Sequence, residues 1–165
     1  MSHPVIVERE SIIPAAVAEV WARVTDPAGI NHELNPILTM CTPRKARGLT
    51  IDRVPIGEPL GRAALLLFGV LPVEYDALTI AEVEPGRRFH EKSTMATMRR
   101  WEHERTLTPE GTARTRVHDR LTMELRAPLA RLPHSDGLAR QIVTRLFDHR
   151  HRRLALHFSS GKLSP

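Results

Sequence analysis

Residues 138–158 read LARQIVTRLFDHRHRRLALHF, and their periodicity decides the fold. Leu138, Ile142, Val143, Leu146, Phe147, Leu154 and Phe158 recur at helical spacing and form one apolar stripe. The pattern that follows Pro128 and Pro133 predicts a helix of about twenty-five residues, roughly 37 Å at 1.5 Å per residue. Such a helix is too long for a connector. Its stripe needs a second apolar surface to lie against.

The preceding chain supplies that surface. From Ile37 to Leu125 the texture is β-type runs broken by Pro and Gly: Ile37–Thr42, a weaker run at Leu49–Val54, Gly61–Phe68, Val73–Val83, Arg87–Ser93, Arg99–Leu107 and Ala113–Leu125. Glu84-Pro85-Gly86 and Pro109-Glu110-Gly111 are compact turns, so consecutive strands pair antiparallel as a meander. The stretch from Thr42 to Gly61, rich in Pro and Gly, reads as irregular loop around one edge strand. Before the meander, Val5–Ile13 is a strand. Pro14 opens a helix whose apolar face is Val17, Val20, Trp21 and Val24, and Thr25-Asp26-Pro27 ends it. A second short helix follows over Pro27–Glu33, before Asn35-Pro36 breaks the chain. The expected fold is α+β: a curved antiparallel sheet of six or seven strands wrapped around the long C-terminal helix, with two short helices after the first strand. One domain is expected over residues 1–165.

Composition narrows the class. At 165 residues, 41% hydrophobic and 26% charged, the chain can bury a core. The net charge is +5, and all but three of the 24 basic residues are Arg, the lysines standing at 45, 92 and 162. These Arg are scattered, often beside Glu or Asp; the densest cluster is Arg145, Arg150, Arg152 and Arg153. Aromatics make up only 4% and Tyr75 is the sole Tyr, so no base-stacking platform is present and nucleic acid is not the expected partner. The single Cys41 excludes an internal disulfide and a Cys-paired zinc site. No run is long enough for a membrane span, and Met1-Ser2-His3-Pro4 lacks the order of a secretory signal, so a cytoplasmic protein is expected.

A curved sheet diverges from a straight helix at its ends, leaving a gap to be filled or left open. With four Phe, two Trp and one Tyr, the chain is short of large fillers. An apolar cavity is the expectation, a filled core the alternative.

The helix opening Ile13-Pro14-Ala15-Ala16-Val17-Ala18-Glu19-Val20-Trp21 and its end at Thr25-Asp26-Pro27 resemble the START-like helix-grip proteins, the SRPBCC superfamily, also called START/Bet v 1-like. The resemblance spans essentially the whole chain. Within it Phe89-His90-Glu91, the run from Arg100 to Arg105, Gly111-Thr112, Val117-His118-Asp119 and the run from Leu146 to Leu154 look like a bacterial ligand-binding branch often labelled polyketide cyclase/dehydrase-like. That resemblance implies a hydrophobic pocket for lipids, polyketides, quinones or hormone-like molecules, with catalysis in a minority. It implies no common reaction.

Alternation in Arg99–Leu107 puts Trp101, His103 and Arg105 on one face, read as inward, and Glu102 and Glu104 on the other. Phe89 and Glu91 alternate likewise, and a simple hairpin register brings Asp119 near Trp101 or His103. The expected cluster is Glu91, His103, Arg105 and Asp119 around Trp101. A His held by a carboxylate inside an apolar cavity can bind a ligand's carbonyl or hydroxyl, or act as a general base; the same residues also make a bracing ion-pair network. In the last helix Asp148 and Arg152 read as an i, i+4 surface pair, and Arg150 as reaching inward to Glu91 or Asp119. The candidate ligand-binding set is Trp101, His103, Glu91, Arg105, Asp119, Phe89, Phe147 and Arg150.

His149 and His151 lie two apart on a helix and His118-Asp119 on opposite faces of a strand, so no metal site and no cofactor are expected. Neither Ser11 nor Ser93 sits in a Gly-x-Ser-x-Gly elbow, and no phosphate loop is present. Three functions stay open: binding of a small hydrophobic or amphipathic ligand between sheet and helix; a polyketide cyclase or dehydratase using His103 or Glu91 as base; and a module that docks its Arg-rich helix on RNA, ribosomes or acidic proteins.

Overall fold

Strand β1 (Val5–Ile13) is followed by helices α1 (Val17–Thr25) and α2 (Pro27–Leu34). Then come β2 (Leu38–Met40), β3 (Pro59–Leu67), β4 (Leu71–Glu84), β5 (Arg88–Met95), β6 (Met98–Pro109) and β7 (Thr115–Leu125). A four-residue helix, α3 (Ala127–Ala130), leads into α4 (Ser135–Ser160). These elements belong to a computed structural model that describes residues 3–161. Met1, Ser2 and Lys162, used above for the start of the chain and the lysine count, lie outside the described residues. No helix is long and apolar enough to cross a membrane, among the described residues.

The strands form one seven-stranded sheet in the order β1-β7-β6-β5-β4-β3-β2, every pairing antiparallel. The meander is as expected, and β1 returns to the far side of β7. Gly86 takes φ 77° in the turn between β4 and β5, a conformation that costs a side chain and that Gly adopts freely. The curled sheet grips α4 on its inner face.

Local chemistry sets the two short helices. Helix α1 begins at Val17 rather than at Pro14, because the Glu19 carboxylate accepts the Ala16 N–H at 3.0 Å and fixes the start there. Asp26 caps α2, its Oδ1 accepting from the N–H groups of Ala28 (2.7 Å) and Gly29 (3.3 Å). The corner between these helices is tight: a Cβ on Gly29 would lie 1.8 Å from the Arg23 carbonyl oxygen.

Three expectations are corrected. Leu49–Val54 is not a strand but contains a single 3-10 turn, Ile51–Arg53, preceded by another at Arg44–Ala46. Thr50 donates its hydroxyl to Asp52, a local bond that competes with a ladder, and the edge beside β3 is taken by β2 instead. Leu138 and Ile142, placed on the buried stripe of α4, are 59% and 58% exposed. The buried face consists of Ala139, Val143, Phe147, Arg150, His151 and Leu154, so two charged or polar residues stand where the stripe was read as apolar. Asp148 pairs with Arg9 of β1 at 2.6 Å, across the helix-sheet seam, rather than with Arg152.

The interior divides along α4. Its second half packs Leu154 against Ile13, Val20, Val24, Leu107 and Val117, all nearly inaccessible. Its first half packs Ala139, Val143 and Phe147 against β1, β6 and β7 and leaves space toward β3, β4 and β5.

Candidate functional site

That space is a cavity of about 860 Å³. Leu60, Leu78 and Ile80 wall it from β3 and β4, Phe89, Met95 and Trp101 from β5 and β6. Ile30 and Leu34 of α2 and Val143 and Phe147 of α4 complete it, and the exposed side chains of Leu132, Leu138 and Ile142 lie along its edge. The charged or titratable groups of the lining are Asp76, Glu91, His103 and Arg150, with Glu74, which accepts from Ala96 and Thr97, and His134.

The register explains the polar groups. On the inner face, Phe89, Arg105 and Asp119 stand in one cross-strand row, Glu91, His103 and Leu121 in the next, Ser93, Trp101 and Met123 in a third. The first row is built around Arg105, which is fully buried. Its Nε donates to Asp119 Oδ1 and its Nη2 to Asp119 Oδ2, both at 2.7 Å. The same guanidinium donates to Glu33 of α2 at 2.8, 3.0 and 3.1 Å, and Arg150 Nε adds a bond to Glu33 Oε2 at 3.1 Å. Burial would pull the carboxyl pKa values up. For Asp119 that is outweighed by Arg105 and then His103, which hold it well below the usual carboxylate range; for Glu33 it is outweighed by Arg105 and Arg150. Two cations face two anions here, and the set ties α2, α4, β6 and β7 together.

His103 links this brace to the cavity. Its Nε2 lies 2.9 Å from Asp119 Oδ1, and its ring meets the edges of Phe89 and Phe147 with centroids 5.5 and 5.2 Å away. Burial lowers its pKa, opposed by Asp119 and reinforced by Arg150 and Arg105, which favours the neutral ring. Because ionised Asp119 only accepts, Nε2 carries the proton and Nδ1 is a free base. Nδ1 faces Glu91 Oε2 at 3.9 Å.

Glu91 is the opposite kind of carboxyl. Burial, then the charge of Asp76 and a hydrogen bond with it, raise its pKa well above the ordinary value; burial also raises that of Asp76. Two carboxyls set this close in a desolvated place disfavour ionising together and favour sharing a proton. Ser93 Oγ donates to Glu91 Oε1 at 3.0 Å.

The expected cluster is thus present in part. Glu91, His103, Arg105 and Asp119 come together, but two Phe rather than Trp101 flank them; Trp101 stands one row away, packed with Met95, Met123 and Val143. Trp101, His103, Glu91, Phe89, Phe147 and Arg150 line the cavity, while Arg105 and Asp119 lie behind its wall. Arg150 reaches inward, to Glu33 rather than to Glu91 or Asp119, and stacks on Phe147 at 4.8 Å.

Three residues escaped the sequence reading. Asp76 shares an alternating face with Leu78 and Ile80, a signal that was available. His151 lies four residues after Phe147, on the buried face, with Nε2 2.8 Å from Asp119 Oδ2 and Nδ1 2.6 Å from Ser11 Oγ. Glu33 carried no local signal, since its partners are 72 and 117 residues away. Of the Arg cluster on α4, Arg150 is buried and Arg153 Nε donates to the His32 carbonyl at 3.2 Å, leaving Arg145 and Arg152 exposed. Among the described residues no three His, Cys, Asp or Glu side chains are arranged to hold a metal ion.

Known structures share the fold that holds this site. A START superfamily protein from Mycobacterium smegmatis superposes with a TM-score of 0.68 at 13% identity, covering 94% of this chain and 97% of that one. Protein CV1439 from Chromobacterium violaceum gives 0.70 at 13% identity over 94% and 98%. The Zhui aromatase/cyclase from Streptomyces sp. R1128 gives 0.69 at 14% identity over 95% and 94%. The fold is therefore the START-like helix-grip fold. No curated protein matches the sequence. A family model described as "Domain of unknown function (DUF8410)" matches residues 11–158.

Proposed function

The chain belongs to the DUF8410 family, and from that premise we propose that it binds a small hydrophobic or amphipathic molecule, of lipid, polyketide-like or aromatic character, between the sheet and α4. The observation that carries this reading is the cavity: about 860 Å³ of space with mainly apolar walls and a few polar groups at fixed positions. The exposed apolar edge at Leu132, Leu138 and Ile142 supports a path of entry. The aromatase/cyclase among the structural neighbours supports a ring-bearing ligand within that class. Residues 1–165 act in this reading as one domain, and the exposed thiol of Cys41 suits the reducing cytoplasm.

Native mass spectrometry of protein purified from its own host, joined to displacement of the apolar dye 8-anilinonaphthalene-1-sulfonate, tests this. A co-purifying apolar small molecule that displaces the dye is the expected result. Protein that arrives empty and takes up neither the dye nor a simple alkanol overturns it.

A second reading has one observation of its own. The free Nδ1 of His103 and the protonated Glu91, 3.9 Å apart at the cavity wall, form a base and an acid side by side. A cyclase or dehydratase would use such a couple, with His103 as base and Glu91 as acid. His103→Ala separates the readings: retained binding with lost turnover of a polyketide-like substrate favours the enzyme, and retained binding with no turnover in either protein favours the binding module.

A further inference from the structure

The ion pairs behind the cavity are complete, whereas the carboxyls on its wall are not. Arg105 and Arg150 are matched by Glu33 and Asp119. Among the described residues, Asp76 and Glu91 have no Lys or Arg within ion-pair distance, and the His103 ring beside them is neutral. One proton between two carboxyls leaves the pair with a single negative charge. Asp76 is only 5% exposed and lines the cavity, and apart from the proton it can share with Glu91 its Oδ1 has no hydrogen-bond partner. Ser93 has a single hydroxyl proton for the two carboxyls, and its Oγ lies 3.0 Å from Glu91 Oε1. Carboxyls buried without a cation are costly, and these two line a space open to a ligand.

We infer that Asp76, with Glu91 beside it, is the recognition point for a protonated amine carried by an otherwise apolar ligand. The inference rests on the ligand-binding reading above and names the polar end of that ligand. The ammonium group donates to the carboxyl oxygens of the pair and balances its charge; the apolar body lies against Leu78, Ile80, Met95 and Trp101. A neutral hydroxyl satisfies the hydrogen bond but leaves the charge unmatched, and a carboxylate adds a second negative charge.

Calorimetric titration with decylamine, 1-decanol and decanoate, each below its aggregation concentration at neutral pH, tests this on the intact chain. Decylamine should bind about tenfold or more tighter than 1-decanol, as a desolvated charge-assisted hydrogen bond implies, and decanoate weakest of the three. The amine-to-alcohol ratio should fall to near one in Asp76→Asn. It should persist in Glu91→Gln, where Asp76 keeps its charge. If Asp76→Asn does not fold, as judged by thermal melting, the neutral pair Asp76→Asn/Glu91→Gln serves in its place. Equal affinities for amine and alcohol in the native protein, or a ratio that survives loss of the Asp76 charge, overturn the inference and leave the ligand-binding reading intact. Failure of both the amine and the alcohol to bind overturns both.

Discussion

Glu33 and Asp119 are buried against Arg105, which holds their carboxyl pKa values down; Asp76 and Glu91 sit together with no guanidinium within ion-pair distance, and their carboxyl pKa values are raised. Residue type is alike in the two sets and burial nearly so, Glu91 keeping 13% of its side chain exposed, and the difference in partner sets the direction of the shift. The first set satisfies its hydrogen bonds from within the chain and braces four elements. The second has no Lys or Arg within ion-pair distance among the described residues, and its carboxyls line the cavity. A closed network marks structure, and an incomplete one beside open space marks a place for something else.

The comparison breaks most visibly at Arg105. Arg105→Met strands two buried carboxylates, and a cost of about 3–5 kcal/mol in denaturant-unfolding stability is expected. A loss under 1 kcal/mol by that measurement would show that the brace is dispensable. Filling the cavity comes next in size. Leu78→Trp should lower the affinity for 1-decanol about tenfold or more while melting stays cooperative, a change titration reads directly.

The pH dependence sharpens the contrast because the two sets have opposite signs. Glu33 and Asp119 have lowered folded-state pKa values, so their contribution is present above the unfolded carboxyl pKa and is lost as pH falls through the folded value. Glu91 has a raised value, so its contribution is full below the unfolded pKa and is lost as pH rises through the folded one. In Glu91→Gln the side-chain amide donates to Asp76 without titrating. The variant should match the native protein near pH 4 and exceed it by about 1 kcal/mol or more near pH 8, one unit of pKa shift being worth about that much. Equal gains at both pH values, measured by urea unfolding, would assign the effect to packing. The smallest effect belongs to the seam pair: Arg9→Ala, which releases Asp148, should cost about 0.5 kcal/mol or less in the same assay, since both side chains are partly solvated.

Much of the sheet was legible because period-2 alternation and the turns at Gly86 and Gly111 are local signals. The first row of the site was legible for the same reason: Arg105 and His103 alternate inward, and the hairpin register delivers Asp119 to them. Two kinds of feature were not. The turn at Ile51–Arg53 resembles a strand in composition, but Thr50 satisfies Asp52 locally and β2 occupies the edge. Glu33 was hidden because its burial depends on Arg105 and Arg150, distant in sequence, and nothing around it in α2 marks an inward acid. Arg150 and His151 broke the apolar stripe of α4 where the brace needed them, and the stripe was accordingly misread at Leu138 and Ile142.

The most direct test is methyl NMR of the chain titrated with 1-decanol. Methyl groups of Leu78, Ile80, Met95 and Val143, on the cavity wall, should shift saturably, while those of Val20, Val24, Val117 and Leu154, in the packed half, stay in place. Shifts spread evenly over both groups, or confined to exposed Val70 and Leu71 of the β3–β4 hairpin, would contradict an open cavity under the first half of α4.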